Sequence, residues 1–302
     1  MAVKGKSGLE RKLARWGWIF VSPAILFFSI FSFYPIINAF VMSFYRKNMI
    51  SLIKPVFVGI SNYLAVLTSP LFWNSVRATL VFAAGTFVPL TVVSLVLAVL
   101  VLGEGKLARL WQLLFYSPAV LSSAVAALIW IIIFQPTGIA NQIVNVLLFR
   151  SGVDMHWLSN GTMVQFSTMI DYFWKYVGFF TILFITGLAK IPQGIYEAAL
   201  IDGAGRLQTF FKITLPLLKP TSVMISVMTM IQCLKTFSTQ YLFIQGGAPR
   251  PPIDVITLSI YFTAMRDYNV GRASVMSILL FFAMLILTAL QFRFTRSDDV
   301  SY

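Results

Sequence analysis

The chain has 302 residues, of which 58% are hydrophobic and only 11% are charged. A mean hydropathy of +0.84 lies outside the range of water-soluble domains, so the composition predicts an integral membrane protein. The net charge of +13 fits lysine and arginine that face anionic lipid better than it fits nucleic-acid binding. A single cysteine excludes an internal disulfide, and one histidine without clustered ligands indicates no metal site.

Six apolar runs are long enough to cross the hydrocarbon, which takes about 20 helical residues. The runs are 17–44, 75–102, 111–134, 163–189, 221–243 and 273–292. We therefore predict an all-α integral membrane protein with six transmembrane helices, in a single domain that takes in residues 1–302. The even number of spans places both termini on the same side of the membrane.

The first run is preceded by basic residues, which is also typical of a signal peptide. Its apolar stretch is too long for such a peptide, and Pro23 and Pro35 interrupt it, so we predict a retained helix. Lysine and arginine are more frequent in the segments that share a side with the termini. This bias predicts that both termini, and the segment between the fourth and fifth runs, are cytoplasmic.

That segment, residues 191–220, is polar and charged, and we call it the polar segment. Its small residues allow another backbone to approach closely: Ala198, Ala199, Gly203, Ala204 and Gly205. Its charged residues would give that approach a direction: Glu197, Asp202, Arg206 and Lys212. Pro192 can begin a short helix, Gly203 permits a sharp turn, and Pro216 ends the second helical piece. The pattern predicts a docking element.

Two stripes of polar residues lie inside the fourth and fifth runs. The first is Asp171, Tyr172, Lys175, Tyr176 and Phe179, and the second is Thr229, Gln232 and Thr236 with Lys235 nearby. Helical spacing puts each stripe on one side of its helix. Polar groups inside a membrane are costly and usually face a cavity, so we predict that both stripes line a path for a polar solute.

The same residues allow a purely structural interpretation. Asp171 and Lys175 are four positions apart and would then pair with one another and serve packing. Gln232 and Thr236 would then make hydrogen bonds between helices without contacting a solute. The chain also has no phosphate-binding loop of the G-x-x-x-x-G-K-[ST] type and no readable catalytic arrangement, which indicates a protein that is not an enzyme.

The polar segment resembles the EAA loop of the membrane-spanning subunits of ABC importers. The resemblance rests on EAALIDGA at 197–204, Phe210, ITLP at 213–216 and Pro220. Spacing is part of it, because the glycine follows the glutamate by six residues and the I-x-L-P follows ten residues later. Looser features resemble the sugar-uptake branch, the relatives of the maltose and glycerol-phosphate permeases: Tyr34-Pro35, Phe57-Val58-Gly59, Asn62-Tyr63, Trp157-Leu158 and Gly271.

The resemblance implies a six-helix MetI-like permease core in the bacterial inner membrane. The chain would work with a second, non-identical permease, a cytoplasmic ATPase dimer and an extracytoplasmic solute-binding protein. ATP and Mg²⁺ would be held by the ATPase, and this chain would bind no cofactor itself. Its coupling residues would be Glu197, Ala198, Ala199, Asp202, Gly203, Ala204 and Pro216.

We therefore expect a permease subunit of an ATP-driven importer for sugars or oligosaccharides. An alternative is an anionic saccharide such as a uronate oligosaccharide or a sugar phosphate, because Lys175 and Lys235 place two cations near the midplane. A secondary transporter or a membrane-embedded enzyme is a further alternative. The first would show an internal repeat and the second convergent acids or metal ligands, and the sequence has neither pattern.

Overall fold

A computed structural model describes residues 8–51, 53–103, 105–149 and 152–295 of the chain. Both extreme termini lie outside the described residues. The described part is mainly helical and divides into two compact units. The first takes in the described residues up to Thr68 together with Phe262–Leu279, and the second takes in Ser69–Tyr261 and the described residues from Leu280 onward. That the chain forms one permease domain stays a prediction.

All six predicted spans coincide with helices, although two of them are broken. Within the described ranges, four helices are long and apolar enough to cross a membrane: Lys12–Ser43, Pro70–Leu100, Gly161–Leu188 and Val270–Arg293. The third predicted span consists of Lys106–Val120 and Ser123–Ile133, which are bent by 98°. The fifth lies in Lys219–Gln245, which is interrupted at residues 235–237 and is bent by 70° against the preceding Arg206–Leu217. The all-α membrane fold is therefore confirmed.

The first unit begins with a long helix, which is followed by a two-stranded sheet and a short helix. Its elements are α1 (Gly8–Phe28), a π-helical turn (Ser29–Phe33), α2 (Tyr34–Ser43), β1 (Tyr45–Arg46), β2 (Val56–Phe57) and α3 (Ser61–Leu67). Strands β1 and β2 pair antiparallel. The buried side chain of Asn62 donates to the backbone oxygens of Ser43 and Tyr45, at 2.8 and 3.0 Å, and so satisfies the end of α2.

The second unit contains most of the helices. They are α4 (Pro70–Leu100), α5 (Lys106–Val120), α6 (Ser123–Ile133), α7 (Ile139–Leu147), α8 (Gly161–Leu188), α9 (Gln193–Ile201), α10 (Arg206–Thr209), α11 (Leu215–Leu217), α12 (Lys219–Leu234), α13 (Ser238–Gln245) and α14 (Arg250–Ile253). Helix α15 (Ile256–Met265) and helix α16 (Val270–Thr295) each have residues in both units.

Helix α8 is the centre of the second unit and packs against α4, α5 and α12. Its closest contact is at Gly178, where an added Cβ would lie 1.8 Å from the backbone oxygen of Phe115 on α5. A second tie joins α8 to α4, because the Ser94 hydroxyl donates to the Val177 backbone oxygen at 2.9 Å. Small residues let the backbones of two membrane helices come into contact, and this contact fixes the positions of the side chains on α8.

Replacing Gly178 by alanine should destabilise the chain. The new methyl group meets backbone rather than a movable side chain, so α5 and α8 must separate, at a cost of about 1–3 kcal/mol for an overpacked core. The matched control is Gly194→Ala in α9, where nothing lies within 4 Å of the added Cβ. Unfolding of both variants in a detergent titration should show a loss for Gly178→Ala alone, and equal stability would contradict the close packing.

Candidate functional site

A cavity of about 220 Å³ lies in the second unit, where two interrupted helices meet α8. Its walls come from the start of α6, the middle of α8, and the connection between α12 and α13. The lining residues are Ser123, Tyr172, Tyr176, Ile231, Gln232, Lys235, Thr236, Phe237, Ser238 and Thr239. The cavity is therefore built at the two places where helical hydrogen bonding stops.

The first interruption separates α5 from α6. Ser122 has an extended backbone and its hydroxyl oxygen accepts from the Val125 N–H at 3.3 Å, which caps α6. Helix α8 reaches this point through Lys175, whose Nζ donates to the Ser123 hydroxyl at 2.6 Å. The same ammonium lies 5.4 Å from the ring centroid of Tyr176. Lys175 thus ties the start of α6 to the middle of α8.

The second interruption falls at 235–237, between α12 and α13. Phe237 leaves the helical region with φ −147° and ψ −54°. The backbone oxygen of Thr236 accepts from the hydroxyl of Thr257 in α15, and the Thr236 hydroxyl donates to the Gln240 side-chain oxygen at 2.8 Å. Helix α12 ends at Leu234, so the prediction that Thr229, Gln232 and Thr236 share one continuous helix is wrong. The Thr257 hydroxyl replaces the backbone N–H that would donate to the Thr236 oxygen if the helix continued.

Three aromatic residues line the cavity, Tyr172, Tyr176 and Phe237. Tyr172 and Tyr176 lie next to each other on α8, with ring centroids 4.5 Å apart. Phe237 stacks on Tyr241, with ring centroids 5.4 Å apart and an interplanar angle of 14°. Hydroxyl, amide and ammonium groups also line the cavity. Such a lining can stack on the apolar face of a ring while it exchanges hydrogen bonds with polar substituents.

Five of the nine residues predicted for the solute path line the cavity: Tyr172, Tyr176, Gln232, Lys235 and Thr236. The other four do not. Thr229 is fully buried and its hydroxyl donates to the Ile225 backbone oxygen at 2.8 Å. Phe179 is half-buried and packs on Phe180, with centroids 5.2 Å apart. Lys175 is buried, and its ammonium donates to the Ser123 hydroxyl.

The fourth of these residues, Asp171, is a carboxylate in a buried position. Its side chain is buried near Thr239, and neither carboxylate oxygen makes a hydrogen bond of ordinary geometry in the part of the chain that the structure describes. The structural interpretation, in which Asp171 pairs with Lys175, has no hydrogen bond between the two side chains in the described residues, where the ammonium donates to Ser123. The two charges nevertheless lie close enough to interact. Among the described residues, no group of His, Cys, Asp and Glu side chains could hold a metal ion.

Sequence reasoning missed half of the lining: Ser123, Ile231, Phe237, Ser238 and Thr239. A signal for Ser123 was present, because Pro118 followed by the Ser122-Ser123 pair is typical of a helix end and a new N-cap. No comparable signal exists at 235–237, which contains neither glycine nor proline. That interruption depends on a contact with Thr257, which is distant in the sequence.

The polar segment folds as helix α9, a tight turn and a second helical piece. Helix α9 ends in a Schellman motif, in which Gly203 has φ +77° and its N–H donates to the Leu200 oxygen at 3.1 Å. The N–H of Ala204 completes the motif by donating to the Ala199 oxygen at 2.9 Å. The predicted sharp turn at Gly203 is confirmed. Beyond it lie α10, a π-helical turn (Phe210–Thr214) and α11.

The predicted coupling residues are mostly on the surface of this segment. Glu197, Ala198, Asp202, Gly203 and Pro216 are exposed and Ala204 is half-buried, whereas Ala199 is the buried residue of α9. Sequence reasoning did not single out Leu200 and Ile201, which are 72% and 86% exposed. Uncovered apolar side chains beside a carboxylate form a compact patch of the kind that marks a protein contact.

The polar segment joins α12 at Leu218, where the chain bends by 70°. Leu218 is 1% exposed, and its side chain lies against Gly187 near the end of α8. An added Cβ at Gly187 would be 2.5 Å from the Thr221 side chain, so α8 and the start of α12 are in close contact. Helix α12 then continues without interruption to Leu234, beside the cavity.

Comparison with known proteins shows the family. Residues 91–297 match the family model described as the binding-protein-dependent transport system inner membrane component. The sn-glycerol-3-phosphate transport system permease protein UgpA of Brucella abortus is 31% identical over 92% of this chain and 93% of its own. The trehalose/maltose transport system permease protein MalF of Thermococcus litoralis is 31% identical over 93% of this chain and 94% of its own.

A solved structure shares the fold. The structure is that of a bacterial ABC transporter involved in the import of the acidic polysaccharide alginate. The superposition has a TM-score of 0.81 at 20% sequence identity, and it covers 97% of this chain and 100% of the other. The apolar helices agree with a multi-pass membrane protein. The chain thus belongs to the family of binding-protein-dependent transport system inner membrane components, the permease subunits of ABC transporters.

Proposed function

We propose that this chain is the permease subunit of an ATP-driven importer for sugars or oligosaccharides, and that it catalyses no reaction itself. The observation that carries the proposal is that the exposed docking patch on α9 leads through α10 and α11 into α12, which continues to an aromatic and polar cavity. Relatives named for trehalose and maltose and for arabinooligosaccharides support the solute class. A sugar ring offers both surfaces that the cavity can bind, an apolar face and a rim of hydroxyls.

An anionic solute is not favoured by the geometry. The hypothesis required two cations on the path, but Lys175 is not among the residues that line the cavity, and its ammonium donates to Ser123. Lys235 is the one lysine among the described residues that lines the cavity. A secondary transporter or a membrane-embedded enzyme is not favoured either, because the family is that of ABC permeases.

The polar segment would be the point at which a partner ATPase acts. In this proposal α9 inserts into a cleft of the ATPase, with Leu200 and Ile201 buried in the contact and Glu197 at its edge. A displacement of α9 reaches Leu218 through α10 and α11, and α12 carries it to the cavity wall at Lys235 and Thr236. The partner holds ATP and Mg²⁺, the segment and both termini are cytoplasmic, and a second permease and a solute-binding protein complete the assembly.

Truncating the cavity wall should impair uptake. In the assembled transporter reconstituted in liposomes, Tyr176→Ala removes a stacking ring and Gln232→Ala removes a hydrogen-bonding amide. Each loss corresponds to about 0.5–1.5 kcal/mol, or roughly 2- to 13-fold in uptake efficiency for the sugar that the wild type transports. Phe166→Ala is the matched control, since Phe166 lies on the same helix, is 52% exposed and is outside the cavity. Equal uptake by Tyr176→Ala and the control would overturn the assignment.

The turn after α9 offers a matched pair for the docking proposal. Gly203 has φ +77°, so alanine there costs about 1–2 kcal/mol, whereas nothing lies within 4 Å of a Cβ at Gly205 and its φ is −71°. Gly203→Ala should reduce the amount of ATPase that co-purifies with the permease in mild detergent, and Gly205→Ala should not. Full ATPase recovery and full ATP-dependent uptake with Gly203→Ala would count against docking through α9.

A further inference from the structure

Helix α7 carries an apolar stripe that the described part of the chain leaves uncovered. Ile139, Ile143, Val146 and Leu147 are 56%, 54%, 73% and 70% exposed. Their spacing of four, seven and eight positions from Ile139 places all of them on one face of the helix. Four adjacent large apolar side chains form a continuous patch, and exposing such a patch to water costs free energy.

The opposite face of α7 is fully engaged by polar contacts. Asn141 is 2% exposed, its amide donates to the Pro136 oxygen and to Asp154 at 3.0 and 2.9 Å, and its oxygen accepts from the Trp157 indole at 2.8 Å. Asn145 accepts from the Val153 N–H at 2.9 Å. The His156 backbone N–H, and after it the Asn141 amide, hold the pKa of Asp154 below its usual value. The loop at 152–157 is thus fastened to one side of α7.

The position of α7 is set by the end of a membrane helix. The turn that joins α6 to α7 is tight at Gly138, where an added Cβ would be 2.3 Å from the Ile133 backbone oxygen. Ala140 packs against the apolar core that contains Phe134 and Val164, and the Trp157 ring stacks on Phe134 at 5.3 Å. Helix α7 is therefore anchored at the level where α6 ends and α8 begins. The polar segment follows the opposite end of α8.

Exposed aliphatic side chains also lie on α6, shortly before the turn to α7. Leu128 and Ile132 on α6 are 56% and 62% exposed, and Ile139 follows after the turn. Helix α6 is the second half of the third predicted span, so its end is expected near the level where the hydrocarbon meets the headgroups. A nine-residue helix is about 13 Å long and fits within that interface when it lies flat.

From the two unlike faces of α7 and its position at the end of the third span, we propose that α7 is an interfacial helix whose stripe of Ile139, Ile143, Val146 and Leu147 is immersed in the lipid of the membrane face opposite the polar segment. Amphipathic helices of this kind bury their apolar side roughly 5–10 Å into the headgroup and acyl boundary. The lipid supplies the cover that the stripe lacks, and the two asparagines carry the loop at 152–157 on the aqueous side. Helix α7 thereby holds the connection between α6 and α8 at a fixed depth.

Spin labelling of single cysteines tests the proposal in the assembled transporter in lipid nanodiscs. The chain has one native cysteine, Cys233, which is fully buried, so the wild type serves as the unlabelled blank. Labels at Val146→Cys and Leu147→Cys are compared with a label at Ser159→Cys, an exposed serine in the loop on the polar side of α7. The readout is the collision rate of each label with O₂, which dissolves in lipid, and with a water-soluble Ni(II) chelate.

Immersion predicts frequent O₂ collisions and rare chelate collisions at 146 and 147, with a ratio roughly tenfold or more above that at 159, since about 5–10 Å of apolar depth excludes the chelate. Frequent chelate collisions at 146 and 147 would overturn the proposal, because the stripe would then be in water. Protection from both reagents would also overturn it, because a protein, such as the second permease or the solute-binding protein, would then be the cover. Detergent-free assembly and uptake by each variant are measured alongside, so that a misfolded variant is recognised.

Discussion

In hydrocarbon no water can satisfy backbone N–H and C=O groups, so a membrane helix can be interrupted only where the protein supplies the missing partners. Both interruptions around the cavity obey this constraint. The Ser122 hydroxyl caps α6, and the Thr257 hydroxyl donates a hydrogen bond to the Thr236 backbone oxygen. The side chains that make the interruptions possible are polar, and most of the cavity-lining residues at the interruptions are polar too: Ser123, Lys235, Thr236, Ser238 and Thr239. A polar cavity inside an apolar bundle is the result.

The same packing explains how a distant contact can affect the cavity. Helix α8 is held against α5 at Gly178 and against the start of α12 at Gly187, in both cases with little space for a side chain. Helix α12 begins at the bend after Leu218 and ends where the cavity begins. Because closely packed helices move as bodies rather than deform, motion of the polar segment is expected to appear as a shift of the wall formed by Gln232, Lys235 and Thr236.

The polar segment and the spans could be predicted because their signals are local. Runs of apolar residues locate the helices, and the small and charged residues at 197–204 locate the docking turn, including the left-handed Gly203. The cavity was only partly predictable. Helical spacing placed Tyr172 and Tyr176 correctly, but the α12–α13 interruption arises from Thr257, a contact between residues far apart in the chain. The role of Lys175 was missed for the same reason, since its partner Ser123 lies on another helix.

The central claim is that the cavity changes when the partner ATPase acts on the polar segment. The most direct measurement is the rate at which a water-soluble maleimide labels Lys235→Cys, an exposed position on the cavity wall, in the reconstituted transporter without nucleotide and trapped with ATP. The wild type, whose Cys233 is buried, gives the blank. Different labelling rates in the two states are the predicted result. The same rate in both states, in a transporter that hydrolyses ATP and imports its solute, would contradict the claim.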